Sequence, residues 1–118
     1  EARTIEEIAR VFSYRNLVIA GIFTHLCAAD VRTAEQEKFT LGQAAAFDRV
    51  ICDLNKRGLN CGKIHLLSSY GLLQYPELAG DYARIGIALY GVLSQGANME
   101  NCRIDLRPVL SVKARVAL

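Results

Sequence analysis

An arginine and a glycine interrupt an apolar run near the end of a candidate buried strand. The run extends from Tyr82 to Gly91, and Arg84 and Gly86 lie among its alanine, isoleucine and leucine residues. A guanidinium in apolar surroundings requires an acceptor, because burial of an unpaired charge is costly. Glycine lets backbone N–H groups approach an anion closely. The pattern therefore predicts a site for an anionic ligand that also carries an acceptor atom.

Two further polar clusters lie upstream, and each follows a candidate strand. One contains Thr24, His25 and Asp30, and the other contains Ser68 and Ser69. In a parallel α/β barrel, reactive side chains come from the C-terminal ends of the strands. We therefore expect the three clusters to meet on one face of the fold.

Helices and strands that alternate along the chain must position these clusters. A capping box at Thr4–Glu7 predicts a helix to about Phe12, and helical periodicity predicts a long helix from Thr33 to a stop at 56–58. Strands are predicted at 17–23, 63–67 and 83–85, and single turns at 70–73 and 87–90. This alternation implies right-handed crossovers and a parallel sheet, closed as a barrel or left open.

Composition indicates a heavily buried piece of a larger domain. The 118 residues are 52% hydrophobic and 22% charged, and the apolar runs suit parallel strands covered on both faces. Because Glu1 is not methionine and Leu118 falls inside a strand-like alternation, neither end resembles a natural terminus. We predict a partial (β/α) barrel over residues 1–96, a connector over 97–106 and the start of a C-terminal β domain over 107–118.

Several classes of function are disfavoured. A net charge of +2 without blocks of like charge argues against nucleic-acid binding. The apolar runs fall short of the about 18 residues of a membrane span, so we expect no membrane contact by this segment. Cys27 and Cys52 have apolar neighbours, which fit buried, reduced thiols. His25 and Cys27 could form half of a zinc site, but no second pair of ligands follows at metal-ligand spacing, which argues against a metal site. A cytoplasmic location, or the cytoplasmic side of a membrane-anchored parent, is expected.

Taken in order, the runs at 24–30, 65–69 and 82–91 resemble the alanine racemase family of pyridoxal-phosphate enzymes. The resemblance covers most of the chain. It implies the second half of a TIM-type (β/α)8 barrel plus the first strand of a C-terminal β domain. It also implies pyridoxal 5'-phosphate as cofactor, interconversion of L- and D-alanine for cell-wall precursors, and a homodimer.

The resemblance also implies a role for each site residue. The Ser69 hydroxyl and the N–H groups of Gly86 and Ile87 would bind the cofactor phosphate, with help from the helix dipole. Arg84 would face the pyridine nitrogen, which must be unprotonated because a guanidinium only donates. His25 would orient Arg84. His65 lies early in its strand, and we leave it outside the site.

Each of these residues also has a structural interpretation. Ser68 and Ser69 could cap the turn that begins at Tyr70. Arg84 could form an ion pair with Asp81 or Glu77, and a histidine such as His25 is more often a hydrogen-bonded core residue than a functional one.

The chain departs from the family pattern in two respects. Ser68 replaces the asparagine that the family commonly carries before the serine. The lysine that holds the cofactor and the opposing tyrosine base would lie upstream of Glu1 and downstream of Leu118. No catalytic residue is therefore assigned in this chain, and we expect the isolated segment to be inactive.

Three alternatives remain open. The run at 68–76 looks especially like the serine/alanine racemases of the vancomycin-resistance type, which makes serine a possible substrate. A small, non-catalytic pyridoxal-phosphate-binding barrel is a second alternative, although Thr24, His25 and Asp30 fit it poorly. A non-catalytic α/β interaction domain is the third.

Overall fold

A computed structural model describes residues 2–94 and 104–116 of the chain. Helices and short strands alternate, as the sequence predicts. The helices are α1 (Ala2–Val11), α2 (Ala34–Lys56) and α3 (Ser69–Gln74), with two 3₁₀ helices at Pro76–Leu78 and Ile87–Tyr90. The strands are β1 (Gly21–Phe23), β2 (Lys63–His65), β3 (Leu67–Ser68) and β4 (Ala83–Arg84).

The strands pair in parallel. Strand β1 pairs with β2 so that Phe23 lies opposite His65, and β3 pairs with β4 so that Ser68 lies opposite Arg84. Only the buried Leu66 separates β2 from β3, so these two strands occupy one position between β1 and β4. The structure thus confirms an α/β fold with parallel strands and leaves the extent of a barrel as a prediction.

The strands are shorter than the sequence predicts. The first was expected at 17–23 but begins at Gly21, because its partner β2 begins only at Lys63. Leu17 and Val18 lie outside the sheet and are 54% and 94% exposed. The second predicted strand is interrupted at Leu66. Apolar character therefore overestimates strand length where no neighbour offers hydrogen bonds.

Helix α2 begins and ends where the sequence predicts. Thr33 is its N-cap, and the Thr33 Oγ1 accepts from the Gln36 N–H at 3.3 Å. At the other end Gly58 has φ of +74°, a conformation that favours glycine and stops the helix. The capping box at Thr4 is wrong, however, because α1 already begins at Ala2 and Thr4 lies inside it.

The core lies between α2 and the outer face of the strands. The buried face of α2 includes Phe47, Ile51 and Leu54, which pack with residues of the strand and α3 regions. Leu54 and Leu67 are 0% and 1% exposed. The helix thereby shares one buried core with residues of the strands and their flanking segments.

Two expectations about the cysteines require correction. Cys27 and Cys52 are free but exposed, whereas Cys61 is free and buried. Cys52 follows the buried Ile51 on α2, and one residue along a helix turns the side chain to another face. Burial raises the pKa of the Cys61 thiol above its ordinary value.

The predicted C-terminal strand is not confirmed. No strand is present in residues 104–116, where a strand would need a hydrogen-bonded partner. The predicted boundary at 96 and 97, most of the connector at 97–106, and Cys102 lie outside the described residues. None of the described helices combines the length and apolar character needed to cross a bilayer.

Candidate functional site

The three polar clusters meet at the C-terminal ends of the strands. Thr24 follows β1, Ser69 follows β3, and Arg84 ends β4. The Arg84 guanidinium reaches the Thr24 carbonyl oxygen, with Nη2 2.7 Å away, and the Gly86 N–H reaches the Ser69 Oγ at 2.9 Å. The parallel pairing brings these residues together, because strands that run the same way end on the same edge.

Neutral acceptors hold the Arg84 side chain. Its Nη1 lies 2.7 Å from the His65 Nδ1 and donates to the His65 carbonyl oxygen at 3.2 Å, while Nη2 donates to Thr24. The guanidinium carbon also lies 4.8 Å from the centre of the Phe23 ring. The Nε–H and the second Nη2–H find no acceptor among residues 2–94 and 104–116. Arg84 is therefore fixed in place and keeps donors for a ligand.

His65, rather than His25, orients Arg84. Because a guanidinium has no acceptor, the His65 Nδ1 must accept and the imidazole proton lies on Nε2. His25 is exposed, and within the described part of the chain it makes no hydrogen bond to Arg84. The contact with Arg84 that was expected of His25 is thus made by His65, which the sequence analysis left outside the site.

The strand register, which the sequence does not specify, places His65 at the site. His65 lies opposite Phe23 in the parallel register, and Phe23 immediately precedes the Thr24 cluster. His65 is therefore the last residue of β2 and lies at its C-terminal end, not at its beginning. The sequence predicts one continuous strand over 63–67, in which His65 lies early, because the break at Leu66 has no sequence mark.

The ion pairs considered for Arg84 do not form. Asp81 instead contacts Lys63, with 2.9 Å between the Asp81 Oδ1 and the Lys63 Nζ. Glu77 belongs to the 3₁₀ helix Pro76–Leu78 and is exposed. The positive charge of Arg84 is not neutralised by either carboxylate.

Ser69 lies at the centre of a small group of donors. It is 4% exposed, and its Oγ accepts from the N–H groups of Gly86 and Ala88 at 2.9 and 3.3 Å. Ser68, not Ser69, is the N-cap of α3, and its side chain makes no capping hydrogen bond. The capping interpretation of Ser69 therefore does not describe its geometry. A Cβ on Gly86 would lie 3.9 Å from the Ser69 Oγ, which is an ordinary van der Waals contact.

A polar cavity of about 230 Å³ is lined in part by Ser68 and Tyr70, the sequence neighbours of Ser69. Its lining includes His25, Cys27, Asp30, Ser68 and Tyr70. The Cys27 N–H and Sγ both lie within hydrogen-bond distance of the Gln43 Oε1, at 3.1 and 3.3 Å. Among the residues that the structure describes, no His, Cys, Asp and Glu side chains form a group suited to a metal ion.

Comparison with known proteins identifies relatives over nearly the whole chain. Residues 2–94 match the family model of the alanine racemase N-terminal domain. The chain is 39% identical to a serine/alanine racemase of Enterococcus gallinarum over 113 residues, which cover 96% of this chain and 16% of that protein. It is 37% identical to an alanine racemase of Treponema denticola over 103 residues, or 87% of this chain and 27% of that one.

A solved structure has the same fold. It is an alanine racemase of Clostridium difficile 630 in complex with cycloserine, and it matches with a TM-score of 0.81 at 26% identity. The match covers 92% of this chain and 28% of that chain. The chain thus spans between 15% and 29% of the length of the curated relatives named by these comparisons.

Proposed function

The chain belongs to the alanine racemase family, and from that premise we propose that it forms part of a pyridoxal-phosphate-dependent amino-acid racemase. The reaction is the interconversion of L- and D-alanine, which supplies D-alanine for cell-wall precursors. The observation that carries the proposal is the arrangement of Arg84 and Ser69 at one strand edge. A guanidinium with spare donors lies beside a buried hydroxyl surrounded by backbone N–H groups.

The Ser69 group suits the phosphate of the cofactor. Its hydroxyl proton is available to a phosphate oxygen, because the Oγ already accepts from Gly86 and Ala88. The Ile87 N–H lies between these two donors and donates to no acceptor among the described residues. On this basis we assign the Ser69 hydroxyl and the Ile87 N–H to direct phosphate contacts, and Gly86 to the same group through its hydrogen bond to the Ser69 Oγ.

Arg84 suits the pyridine nitrogen. It can only donate, so a ring nitrogen that meets it serves as an unprotonated acceptor. His65 and the Thr24 carbonyl hold the guanidinium in one orientation. When bound, the cofactor supplies the electron sink that makes removal of the substrate α-proton feasible. Because Arg84 leaves the pyridine nitrogen unprotonated, the ring withdraws electrons less strongly. This favours prompt return of a proton to the substrate α-carbon.

The two bases that racemisation requires are not assigned in this chain. Lys38 and Lys56 lie on α2, and Lys63 begins β2 at the strand end opposite to the site. The hydroxyl of Tyr70 lies 2.6 Å from the Ser94 Oγ and is engaged there. We therefore expect the isolated 118-residue chain to form no D-alanine from L-alanine.

Activity of the parent protein tests the proposal. Purified full-length protein with pyridoxal phosphate should convert L-alanine to D-alanine, measured by chiral chromatography. Ser69→Ala should weaken cofactor binding by about 1 kcal/mol for a neutral hydrogen bond, or by up to about 3 kcal/mol for a charge-assisted one. Ser13→Ala is the matched control, since that exposed hydroxyl only donates to the Arg10 carbonyl. Absence of racemisation in the full-length protein, or equal cofactor affinity in Ser69→Ala, would contradict the assignment.

Serine is the alternative substrate. One relative is a serine/alanine racemase, and Ser68 lines the polar cavity beside the site. The ratio of kcat/KM for L-serine to that for L-alanine decides between the two. A homodimer belongs to the same proposal, and sedimentation of the full-length protein tests it.

A further inference from the structure

We propose that Asp81 is a positioning residue that holds strand β2 where His65 meets Arg84. The inference rests on the proposed function of Arg84, but its physical basis is separate. Asp81 touches neither Arg84 nor the Ser69 group. It acts through the backbone of Ile64, the residue that precedes His65.

Asp81 satisfies both backbone groups of Ile64. The Asp81 N–H donates to the Ile64 carbonyl oxygen at 2.7 Å, and the Asp81 Oδ2 accepts from the Ile64 N–H at 2.8 Å. On the opposite side of the strand, the backbone N–H of Lys63 donates to the Ala20 carbonyl oxygen. The His65 carbonyl oxygen accepts from the Thr24 N–H. The backbone N–H and carbonyl of Ile64 therefore point away from β1 and toward β4. Because β4 begins only at Ala83, Asp81 takes the place of the missing strand partner.

The residue before Asp81 allows this close approach. A Cβ on Gly80 would overlap the Ile64 carbonyl oxygen, so only glycine lets the chain pass here without a shift. The pair Gly80–Asp81 thus forms a clamp on Ile64 that depends on the backbone and on one carboxylate.

The carboxylate also carries an ion pair. The Lys63 Nζ lies 2.9 Å from the Asp81 Oδ1. The hydrogen bond from the Ile64 N–H and the Lys63 ammonium together hold the pKa of the Asp81 carboxyl below its ordinary value. Both side chains are partly exposed, so the ion pair contributes less than the hydrogen bonds to the strand.

The clamp and the site share the same short segments. Asp81 and Arg84 are three residues apart on one segment, and Ile64 and His65 are neighbours on the other. The clamp joins the two segments at Ile64 and Asp81. One residue further along its strand, His65 presents both its Nδ1 and its carbonyl oxygen to Arg84. Besides the clamp, β2 and the segment around β4 are connected through the Arg84 contacts, the short β3–β4 pairing and the Tyr82 ring, which lies edge-on to His65 with 6.2 Å between ring centres.

Nuclear magnetic resonance of His65 and Arg84 in the full-length protein tests the inference without cofactor. Nitrogen shifts of the His65 ring report whether the proton is held on Nε2, and solvent exchange of the Arg84 guanidinium reports how firmly it is held. In Asp81→Ala we expect a mixture of His65 tautomers and about tenfold faster Arg84 exchange, because local opening becomes easier. Asp81→Asn should keep the wild-type tautomer, since its amide oxygen can still accept from Ile64.

Further variants separate the clamp from the ion pair and from general destabilisation. Lys63→Met should leave both signals within about twofold of wild type, because an exposed ion pair contributes little. Asp81→Glu keeps the charge but displaces the carboxylate, so it should resemble Asp81→Ala and replaces it if Asp81→Ala does not fold. Asp105→Ala removes a similar exposed ion pair, to Arg107, and is the control.

The result that would overturn the inference is a wild-type His65 tautomer and Arg84 exchange rate in Asp81→Ala and Asp81→Glu. The inference would also be overturned if Lys63→Met changed the His65 tautomer and the Arg84 exchange rate as much as Asp81→Ala does. The ion pair alone would then account for the effect. Neither outcome concerns racemisation. Failure of the wild-type protein to racemise alanine would instead contradict the proposed function and leave the clamp intact.

Discussion

At the scale of single residues, Arg84 combines a fixed orientation with an uncompensated charge. Its contacts are the imidazole and carbonyl of His65 and the carbonyl of Thr24, all of them neutral acceptors. The carboxylate of Asp81, which is close in sequence, is directed to Lys63 and Ile64 instead. Arg84 therefore retains its charge for a ligand, which a structural ion pair would have cancelled.

Replacement of Arg84 by lysine should remove the fixed, charged donor that this residue offers to a ligand. An ammonium lacks the planar fork that serves His65 and Thr24 together, so Arg84→Lys cannot hold a ligand donor in the same place. We expect kcat/KM of the full-length protein for alanine to fall by about tenfold or more, the effect of losing about 1.4 kcal/mol in the transition state. Steady-state racemisation measures it. Arg107→Lys, a change at a highly exposed arginine, is the control, and equal losses in both variants would contradict the assignment.

The depressed pKa of Asp81 predicts how stability depends on pH. Because the folded state lowers the pKa of this carboxyl below 3.8, ionised Asp81 stabilises the fold at pH values above that figure. The stabilisation is lost as the pH falls through the folded pKa. The wild type should therefore exceed Asp81→Asn in urea midpoint near neutral pH, and the difference should shrink in strongly acidic solution. A difference that stays constant with pH would show that the carboxylate charge has no stabilising role.

At the scale of elements, helix α2 has the most complete set of local signals. Thr33 caps its first turn, Glu35 and Glu37 suit the positive end of its dipole, and Gly58 ends it. Its buried face then packs on the strands. Local and tertiary preferences agree here, and the sequence prediction of this helix was correspondingly accurate.

The cap of α2 makes a measurable contribution. Thr33→Ala removes the acceptor of the Gln36 N–H and should lower the free energy of unfolding by about 1 kcal/mol. Thr33→Ser keeps a hydroxyl and should lose much less. Urea unfolding followed by circular dichroism compares the two, and equal stability of Thr33→Ala and wild type would show that the cap is not used.

The strands behave differently from the helix. Each contains two or three residues, and each is bounded by where its neighbour begins or ends rather than by its own composition. The break at Leu66 and the Asp81 clamp on Ile64 both occur at such boundaries. Strand limits in this fold therefore depend on pairing, which a single strand does not encode.

At the scale of the whole molecule, the chain is extended and its sheet is open. The radius of gyration is 18.5 Å, whereas a compact domain of 100 residues has about 13 Å. On the site side, Phe23 and Tyr82 are 61% and 57% exposed, and β1 and β4 have no outer partner in the described part of the chain. Open strand edges and apolar surface promote association.

We therefore expect the isolated 118-residue chain to self-associate. Sedimentation velocity at micromolar concentration should show dimers or larger species whose proportion rises with concentration. Phe23→Ser should reduce the association, because it removes an exposed apolar ring, whereas Ser13→Ala should not. A compact monomer over the whole concentration range would contradict the prediction that the open sheet needs a partner.

Local sequence patterns predict the alternation of elements, the parallel sheet and the residues at its C-terminal edge. These features follow from local information: periodicity, a glycine stop, and polar residues placed after apolar runs. Ser69, Arg84 and Gly86 were identified in this way, and the structure brings them to one edge.

The tertiary structure decided which side chains meet there. His65 replaced His25 as the partner of Arg84, and Asp81 turned to Ile64 and Lys63 rather than to Arg84. Both choices depend on the register between β1, β2 and β4. A shift of one residue moves a strand side chain to the other face, so residue type and spacing alone do not specify the contact. Local chemistry thus marked the candidates, and long-range strand pairing selected among them.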